Sequence, residues 1–437
     1  MKELLIISAP ATSRSGYGDH SRDLIRSLIA MDRFDIQILD QRWGNCDRNA
    51  LTDADTDITS RIMTTQPNRQ PDVWIQVTVP NEFQKVGKFN IGITAGMESD
   101  IVSKEWVDGC NRMDLVITTS EHSKQSFTNS VYQAIDNRTQ QSVGEVKVDK
   151  PIEVLFEGLD TETFYKTDEI DVTIKEALDG VKEKFCYLIF GHWLQGDITH
   201  DRKDIGGTLG TIIETFRKSS KKNRPGIILK TSGATFSVTD RETILSRLNQ
   251  VFANYKKSEL PNIYLLHGDL TQSEVNSLYN HPKVKAMVSF THGEGFGRPL
   301  LEFSVTGKPI LASNWSGHVD FLKHSIKLPG ELKQIHPSSV QGDMIIKESK
   351  WFYVNYGYAS KLLKQVYTNY KDYVSDARKQ ARVSREEFNK DKMTEKFTEI
   401  LDKYIVKQVS LQLPKLKKVE KKPEIKLPKL KKVTNEQ

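Results

Sequence analysis

Apolar residues in this chain come in short runs separated by stretches of helical spacing, and the alternation repeats along most of its length. Residues 4–9 form the first run, a glycine turn follows at Gly16 and Gly18, and 23–29 has helical periodicity. Further runs lie at 34–39, 73–77, 91–94 and 115–118. Such short, continuously apolar runs predict strands of parallel sheet with crossover connections. Past a polar stretch at 137–150, a run at 152–156 precedes a second series, with strands expected at 185–190, 227–230, 263–267, 286–290 and 309–313. Helical stretches at 206–218, 241–256, 272–279 and 299–306 alternate with them. From 356 to 406 the pattern is helical, with Leu363, Val366, Tyr370 and Tyr373 at spacings of three and four.

The pattern predicts an α/β chain of two Rossmann-like domains, residues 1–170 and 171–355, followed by helices at 356–406 that pack back on the body and a tail at 407–437. A length of 437 residues supports two cores. Hydrophobic residues at 37% and charged residues at 27% are ordinary globular usage, and no apolar run approaches bilayer length. The opening apolar run is too brief for a signal-peptide core, so the expectation is a soluble, cytoplasmic protein without a transmembrane segment. Cys46, Cys110 and Cys186 form no C-x-x-C pair, which fits a reducing compartment and disfavours a zinc site. The sequons at Asn137 and Asn314 carry no weight without a secretory segment. Much of the +6 formal charge sits in the tail, where LPKLKKV occurs at 413–419 and again at 427–433. Its prolines argue against one continuous helix, and the tail is expected to be disordered alone. It reads as a surface for nucleic acid or another polyanion, or as a solubilising extension.

The most informative segment is His292-Gly293-Glu294-Gly295-Phe296-Gly297-Arg298-Pro299-Leu300-Leu301-Glu302, between an expected strand and helix. Pro299 suits a first helical turn, and Gly307 before Lys308-Pro309 supplies a stop. Free amides at such a helix start can hold a phosphate. Gly293, Gly295 and Gly297 leave room for a close-approaching ligand, and Glu294 stands at a strand end, where open α/β sheets place their chemistry. Two carboxylates beside an anion cradle suit a sugar's hydroxyls and a ribose's. The competing reading is a tight strand-to-helix turn with solvated glutamates.

Glu294 and Glu302, seven residues between them, followed by GKPILASNWSGHVDFL, resemble the E-x7-E signature of GT-B glycosyltransferases of the family 4 type. The resemblance extends to Met113-Asp114-Leu115-Val116-Ile117-Thr118-Thr119-Ser120-Glu121 and to the interdomain element Gly158-Leu159-Asp160-Thr161-Glu162-Thr163-Phe164, and covers roughly residues 1–405. It implies a retaining transferase holding a nucleotide-sugar donor, UDP- or GDP-linked, between its two halves. It also implies that Glu302 binds the ribose, that Glu294 is catalytic at the transferring sugar, and that the Gly295, Phe296 and Gly297 amides face the sugar and diphosphate. The matching basic pair is Arg202-Lys203, although the family's glycine-arginine is Gly191-His192 here and 193–201 reads as an insertion. His267-Gly268-Asp269-Leu270 resembles the loop that packs on the base, through Leu270.

Gly16-Tyr17-Gly18 suits a second close approach of phosphate or sugar, again on the donor side. As G-x-G-x-x-Ser it lacks a third glycine, yet Asp40 at the end of the second expected strand keeps an NAD-dependent oxidoreductase open as an alternative. A third reading is a non-catalytic nucleotide-sugar-binding module with a recruiting tail. Asp19, His20, Glu98 and His122 are candidates by position for the acceptor side. Asp53, Asp55 and Asp57 read as a solvated loop rather than a metal-binding D-x-D, and no metal or other cofactor is expected. The acceptor stays open among a glycan, a lipid-linked sugar, a protein and a modified DNA base.

Overall fold

The computed structural model describes residues 2–136, 138–139, 141–233 and 235–405. The lysine-rich repeat at 413–433 and Asn137 of the first sequon lie outside the described residues. Strands β1 (Glu3–Ala9), β2 (Phe34–Asp40), β3 (Val73–Val77), β4 (Phe89–Thr94) and β5 (Leu115–Thr118) come first, then a hairpin of β6 (Tyr132–Ile135) and β7 (Ser142–Val146), then β8 (Ile152–Val154). The first sheet has the order β2-β1-β3-β4-β5-β8, every pair parallel. Helices α1 (Gly16–Ala30), α2 (Thr56–Thr59), α3 (Lys104–Asn111) and α4 (Glu121–Thr128) connect its strands.

The second half contains α5 (Val172–Ala177), β9 (Cys186–Phe190), α6 (Ile205–Phe216), β10 (Gly226–Lys230), α7 (Val238–Phe252), β11 (Ile263–Leu266), α8 (Gln272–Asn280), β12 (Val284–Ser289), α9 (Arg298–Ser304), β13 (Ile310–Ser313) and β14 (Ile326–Leu328). Its strands are ordered β11-β10-β9-β12-β13-β14, also all parallel. That is the 3-2-1-4-5-6 order of a Rossmann sheet, with a crevice where β9 and β12 send their connections to opposite faces. A second hairpin, β15 (Gly330–Gln334) with β16 (Lys350–Val354), precedes α10 (Tyr356–Thr368), α11 (Tyr370–Glu387) and α12 (Lys390–Tyr404).

Local chemistry explains the boundaries. Alternate residues of the central strands feed cores on the two faces: Ile227 and Leu229 of β10 join one cluster, Ile228 the other. Ser15 caps α1 by accepting from the Gly18 amide, so the helix starts at Gly16, earlier than apolar spacing predicts. The expected free-standing glycine turn is therefore the first turn of α1. Asp32, at φ 49°, ends it in the left-handed conformation. The polar 137–150 stretch contains the strand β7, whose alternation was invisible because its residues are exposed or nearly so.

The last helices divide between the halves. Leu363 and Val366 of α10 are buried in the second domain's core, whereas Met393, Phe397, Ile400 and Leu401 of α12 complete the first domain's core. Each such apolar side chain contributes roughly 1.5–3 kcal/mol by leaving water. The two chain crossings lie side by side: Leu159 N–H donates to Phe388 O at 2.7 Å, and Lys390 N–H to Leu159 O at 3.1 Å. Among the described residues, no helix is long and apolar enough to cross a membrane.

Candidate active site

The crevice between β9 and β12 gathers three of the expected residues of the second domain, Arg202, Lys203 and Glu294. Arg202 and Lys203 end the loop after β9, and Asp204, with φ 46°, caps α6 directly behind them. Glu294 lies in the loop after β12, its amide donating to Ser316 Oγ at 2.9 Å and its carbonyl accepting from Gly317 N–H at 2.9 Å. Lys203 Nζ donates to Glu294 Oε1, and Arg202 Nη1 lies 3.6 Å from Glu294 Oε2. Arg202 reaches across the cleft to Glu98 at 2.9 Å, so one acceptor-side candidate of the first domain joins the cluster. Burial alone raises the Glu294 carboxyl, but Lys203 and Arg202 beside it bring it below its ordinary range. It is an ionised carboxylate held by two cations.

Glu302 is placed differently from what the resemblance implies for a free cleft. Its carboxylate accepts from Arg298 Nε at 3.1 Å, one turn earlier on α9. The same guanidinium meets Asp23 of α1 at 2.9 Å and Glu157 at 3.7 Å. Lys390 binds Asp23 at 3.1 Å and Asp160 at 3.0 Å, and Arg22 pairs with Asp19. Despite its ion pair, Glu302 is pushed up to about 8, chiefly by burial, because Arg298 is shared and Asp19 and Glu157 repel a further charge. Glu157 is pushed up to about 7, again by burial first. Sequence reasoning missed Arg298, Asp23 and Glu157. The four-residue spacing of Arg298 and Glu302 on one helix was a readable signal for the first of these.

The motif glycines serve the seam between domains. A Cβ on Gly293 would stand 2.1 Å from Glu98 O, and one on Gly295 would stand 2.4 Å from Ala95 O, both on the first domain's backbone. Their freedom from side chains thus permits close domain contact, beyond the ligand approach or tight turn that the sequence reading gave them. Gly297 has φ 99° and opens α9 with Pro299 in its first turn. Gly295 O accepts from Ser120 Oγ at 2.5 Å, which ties the loop to α4. Phe296 is a core side chain against Phe321, with ring centres 5.0 Å apart, so only its backbone can face a ligand.

The remaining candidates separate by environment. Gly18 is held tightly, since a Cβ would stand 2.1 Å from Ser13 O, while Gly16 faces open space. His20 is buried with neither ring nitrogen partnered, and burial pushes it down to about 4. His122 is likewise lowered to about 4 by burial; its Nε2 lies 3.2 Å from Met97 O and its ring packs edge-on to Trp315. Leu270 packs at the margin of the second core, beside Asp269, which pairs with Arg14 across the cleft. Gln272 also crosses, donating to Asp19 at 3.3 Å.

Three acids outside this site have internal partners. Asp40 accepts from Thr12 N–H at 3.0 Å and Thr12 Oγ1 at 2.7 Å, and pairs with Arg48. Asp55 and Asp57 flank Arg26 at 2.5 and 3.0 Å, so the expected solvated loop is an ion-paired start to α2.

No family model matches the sequence, and no curated protein matches it significantly. Solved structures do match. A glycosyltransferase from Rickettsia africae superposes with a TM-score of 0.61 at 13% identity, over 93% of this chain and 99% of that one. Sucrose-phosphate synthase from Thermosynechococcus elongatus gives 0.59 at 11% identity, over 92% and 99%. Anabaena HepE, solved in complex with UDP and glucose, gives 0.56 at 12% identity, over 92% and 100%. With its two parallel six-stranded sheets, the chain has the GT-B fold: two Rossmann-like domains facing each other across a cleft.

Proposed function

We propose that this chain is a glycosyltransferase that moves a sugar from a nucleotide-sugar donor to an acceptor hydroxyl with retention of anomeric configuration. The observation that carries the reading is the meeting of Arg202 and Lys203 with Glu294 at the crevice of the Rossmann sheet, under Glu98 of the facing domain. Open α/β sheets bind nucleotides at that crevice, and cations there stabilise the charge that develops on a departing diphosphate. The UDP bound by the Anabaena protein of similar fold supports a nucleotide donor.

In this reading the acceptor oxygen forms its bond to the anomeric carbon on the side that the diphosphate oxygen leaves, and the acceptor proton passes to that oxygen. Glu294 positions the transferring sugar, and Arg202 and Lys203 take the leaving charge, so neither a metal nor a protein nucleophile is required. Closure of the two halves supplies orientation and excludes water. Glu302 binds the ribose once the donor draws it from Arg298. Glu98 belongs to the acceptor side. The enzyme works in the cytoplasm.

The oxidoreductase alternative is less well supported: it leaves the meeting of Arg202, Lys203 and Glu294 without a role, and its candidate acid Asp40 is paired with Thr12 and Arg48. A mass-shift assay tests the transferase reading, with nucleotide sugars as donors and free sugars, glycolipids, peptides and hydroxymethylated DNA as acceptors. The expected result is a gain of one sugar mass that disappears in Glu294→Ala. Donor binding without transfer or hydrolysis overturns it in favour of a binding module.

A further inference from the structure

Lys230 ends β10 at the same sheet edge as the crevice, one strand away from the Arg202–Lys203 loop. It is 7% exposed, and in register it lies between Phe190 of β9 and Leu266 of β11. Its Nζ donates to Gly268 O at 2.7 Å. Among the described residues it has no carboxylate partner, whereas Arg202, Lys203 and Arg298 each meet at least one. An ammonium carries three donors, so two remain for a ligand. Burial pushes Lys230 down to about 8 with no neighbouring anion to restore it, which leaves it charged near neutrality.

The surroundings are flat and apolar rather than anionic. The ammonium lies 5.9 Å from the Phe190 ring centre and 5.0 Å from that of Phe236, which is 43% exposed. His267 stands edge-on to Phe236, with its Nε2 fixed 2.8 Å from Asp240 Oδ2. Asp240 also accepts from Gly233 N–H at 2.9 Å, which anchors the loop carrying Phe236. Gly268 leaves open space at the edge, where a Cβ would meet nothing within 4 Å. Strands lie about 4.8 Å apart, so β10 is roughly 7 Å from the β9–β12 crevice, about the reach of a ribose from its phosphate.

Resting on the transferase reading, we infer that Lys230, with Phe190, Phe236 and Leu270, forms the base subsite, selecting a nucleobase that presents to the ammonium a carbonyl oxygen at pyrimidine C4 or purine C6. Uracil and guanine offer one where cytosine and adenine carry an exocyclic amine. An amine facing an ammonium leaves donor against donor, and a site built to donate rejects the analogue that cannot accept.

The test is calorimetric titration of the full-length protein with UDP, GDP, CDP and ADP, in wild type and Lys230→Met. UDP or GDP is expected to bind at least about tenfold more tightly than CDP and ADP, and the variant is expected to bring the four within about twofold of one another. A second measurement needs no variant: the diphosphate of the uridine analogue lacking O4 is expected to bind wild type at least about tenfold more weakly than UDP. Equal affinity for all four bases in wild type, undiminished preference in Lys230→Met, or no loss with the O4-less analogue overturns the subsite alone. Failure of every nucleoside diphosphate to bind overturns the transferase reading with it.

Discussion

Two charged clusters join the domains, one balanced in charge and one rich in acids. At the crevice, Arg202 and Lys203 face Glu98 and Glu294, two cations against two carboxylates. Around α1, Arg298, Arg22 and Lys390 face Asp19, Asp23, Glu157, Asp160 and Glu302, three cations against five carboxylates. In the first cluster the key acid is held below its ordinary range; in the second, burial keeps Glu157 and Glu302 protonated up to about 7 and 8. A buried site settles charge either with a counter-ion or with a proton. The crevice uses counter-ions, which an arriving diphosphate can take over. The α1 cluster, short of cations, adds protons to its counter-ions, and these come from solvent and make the seam answer to pH.

The largest expected effect comes from removing the cation that the acid-rich cluster shares. Arg298→Met strands Glu302 and Glu157, leaves Asp23 to Lys390 alone, and is expected to destabilise the fold by about 3–5 kcal/mol in urea titration at pH 8. A loss below about 1 kcal/mol would mean that Glu302 and Glu157 are already neutral and the guanidinium is dispensable. The pH dependence has a definite sign. An acid whose pKa is raised on folding stabilises the fold fully below its unfolded value of about 4.5, and that contribution is lost as pH rises through its folded value. For Glu302 the window ends near 8. The difference in melting temperature between Glu302→Gln and wild type is therefore expected to grow more positive from pH 5 to 8.5. A constant difference breaks the contrast between the clusters.

These clusters also mark the limit of what the sequence disclosed. The two sheets were legible because parallel strands buried on both faces read as apolar runs; β1 and β9 match theirs within one residue. Glu294 was legible from its motif at a strand end, and Arg202 and Lys203 from the resemblance, which placed a basic pair after this domain's first strand. Asp23 and Glu157 were hidden as partners of Arg298, since they are far from it in the chain and meet it only when the domains dock. Lys230 was hidden too, as a charge at a strand's end looks like a boundary. The hairpin β15–β16 was missed because every residue of β15 is exposed and gives no buried period.

A smaller effect on the fold, though a large one on chemistry, is expected at the balanced cluster. Lys203→Met leaves Arg202 facing Glu294, so stability should fall less than in Arg298→Met. The transfer rate should drop about 10²–10³-fold, the usual consequence of removing one electrostatic stabiliser of a leaving group. Single-turnover kinetics with saturating donor separate this from weaker binding. A rate within about threefold of wild type would assign the leaving charge to Arg202 alone.

The smallest effect sharpens the comparison at the helix that carries Asp19 and Asp23. A methyl on Gly18 would meet Ser13 O at 2.1 Å and Arg22 Nη1 at 3.2 Å, so Gly18→Ala must shift the start of α1 and the acids it delivers. Overpacking of this kind costs about 1–3 kcal/mol. Gly16→Ala meets nothing within 4 Å and should leave stability within about 0.5 kcal/mol. Because Gly16 is structurally free, any loss of nucleotide-sugar affinity in Gly16→Ala at unchanged melting temperature reads directly on a ligand approaching the first turn of α1. Unchanged affinity there would confine donor binding to the second domain and leave α1 to serve the seam alone.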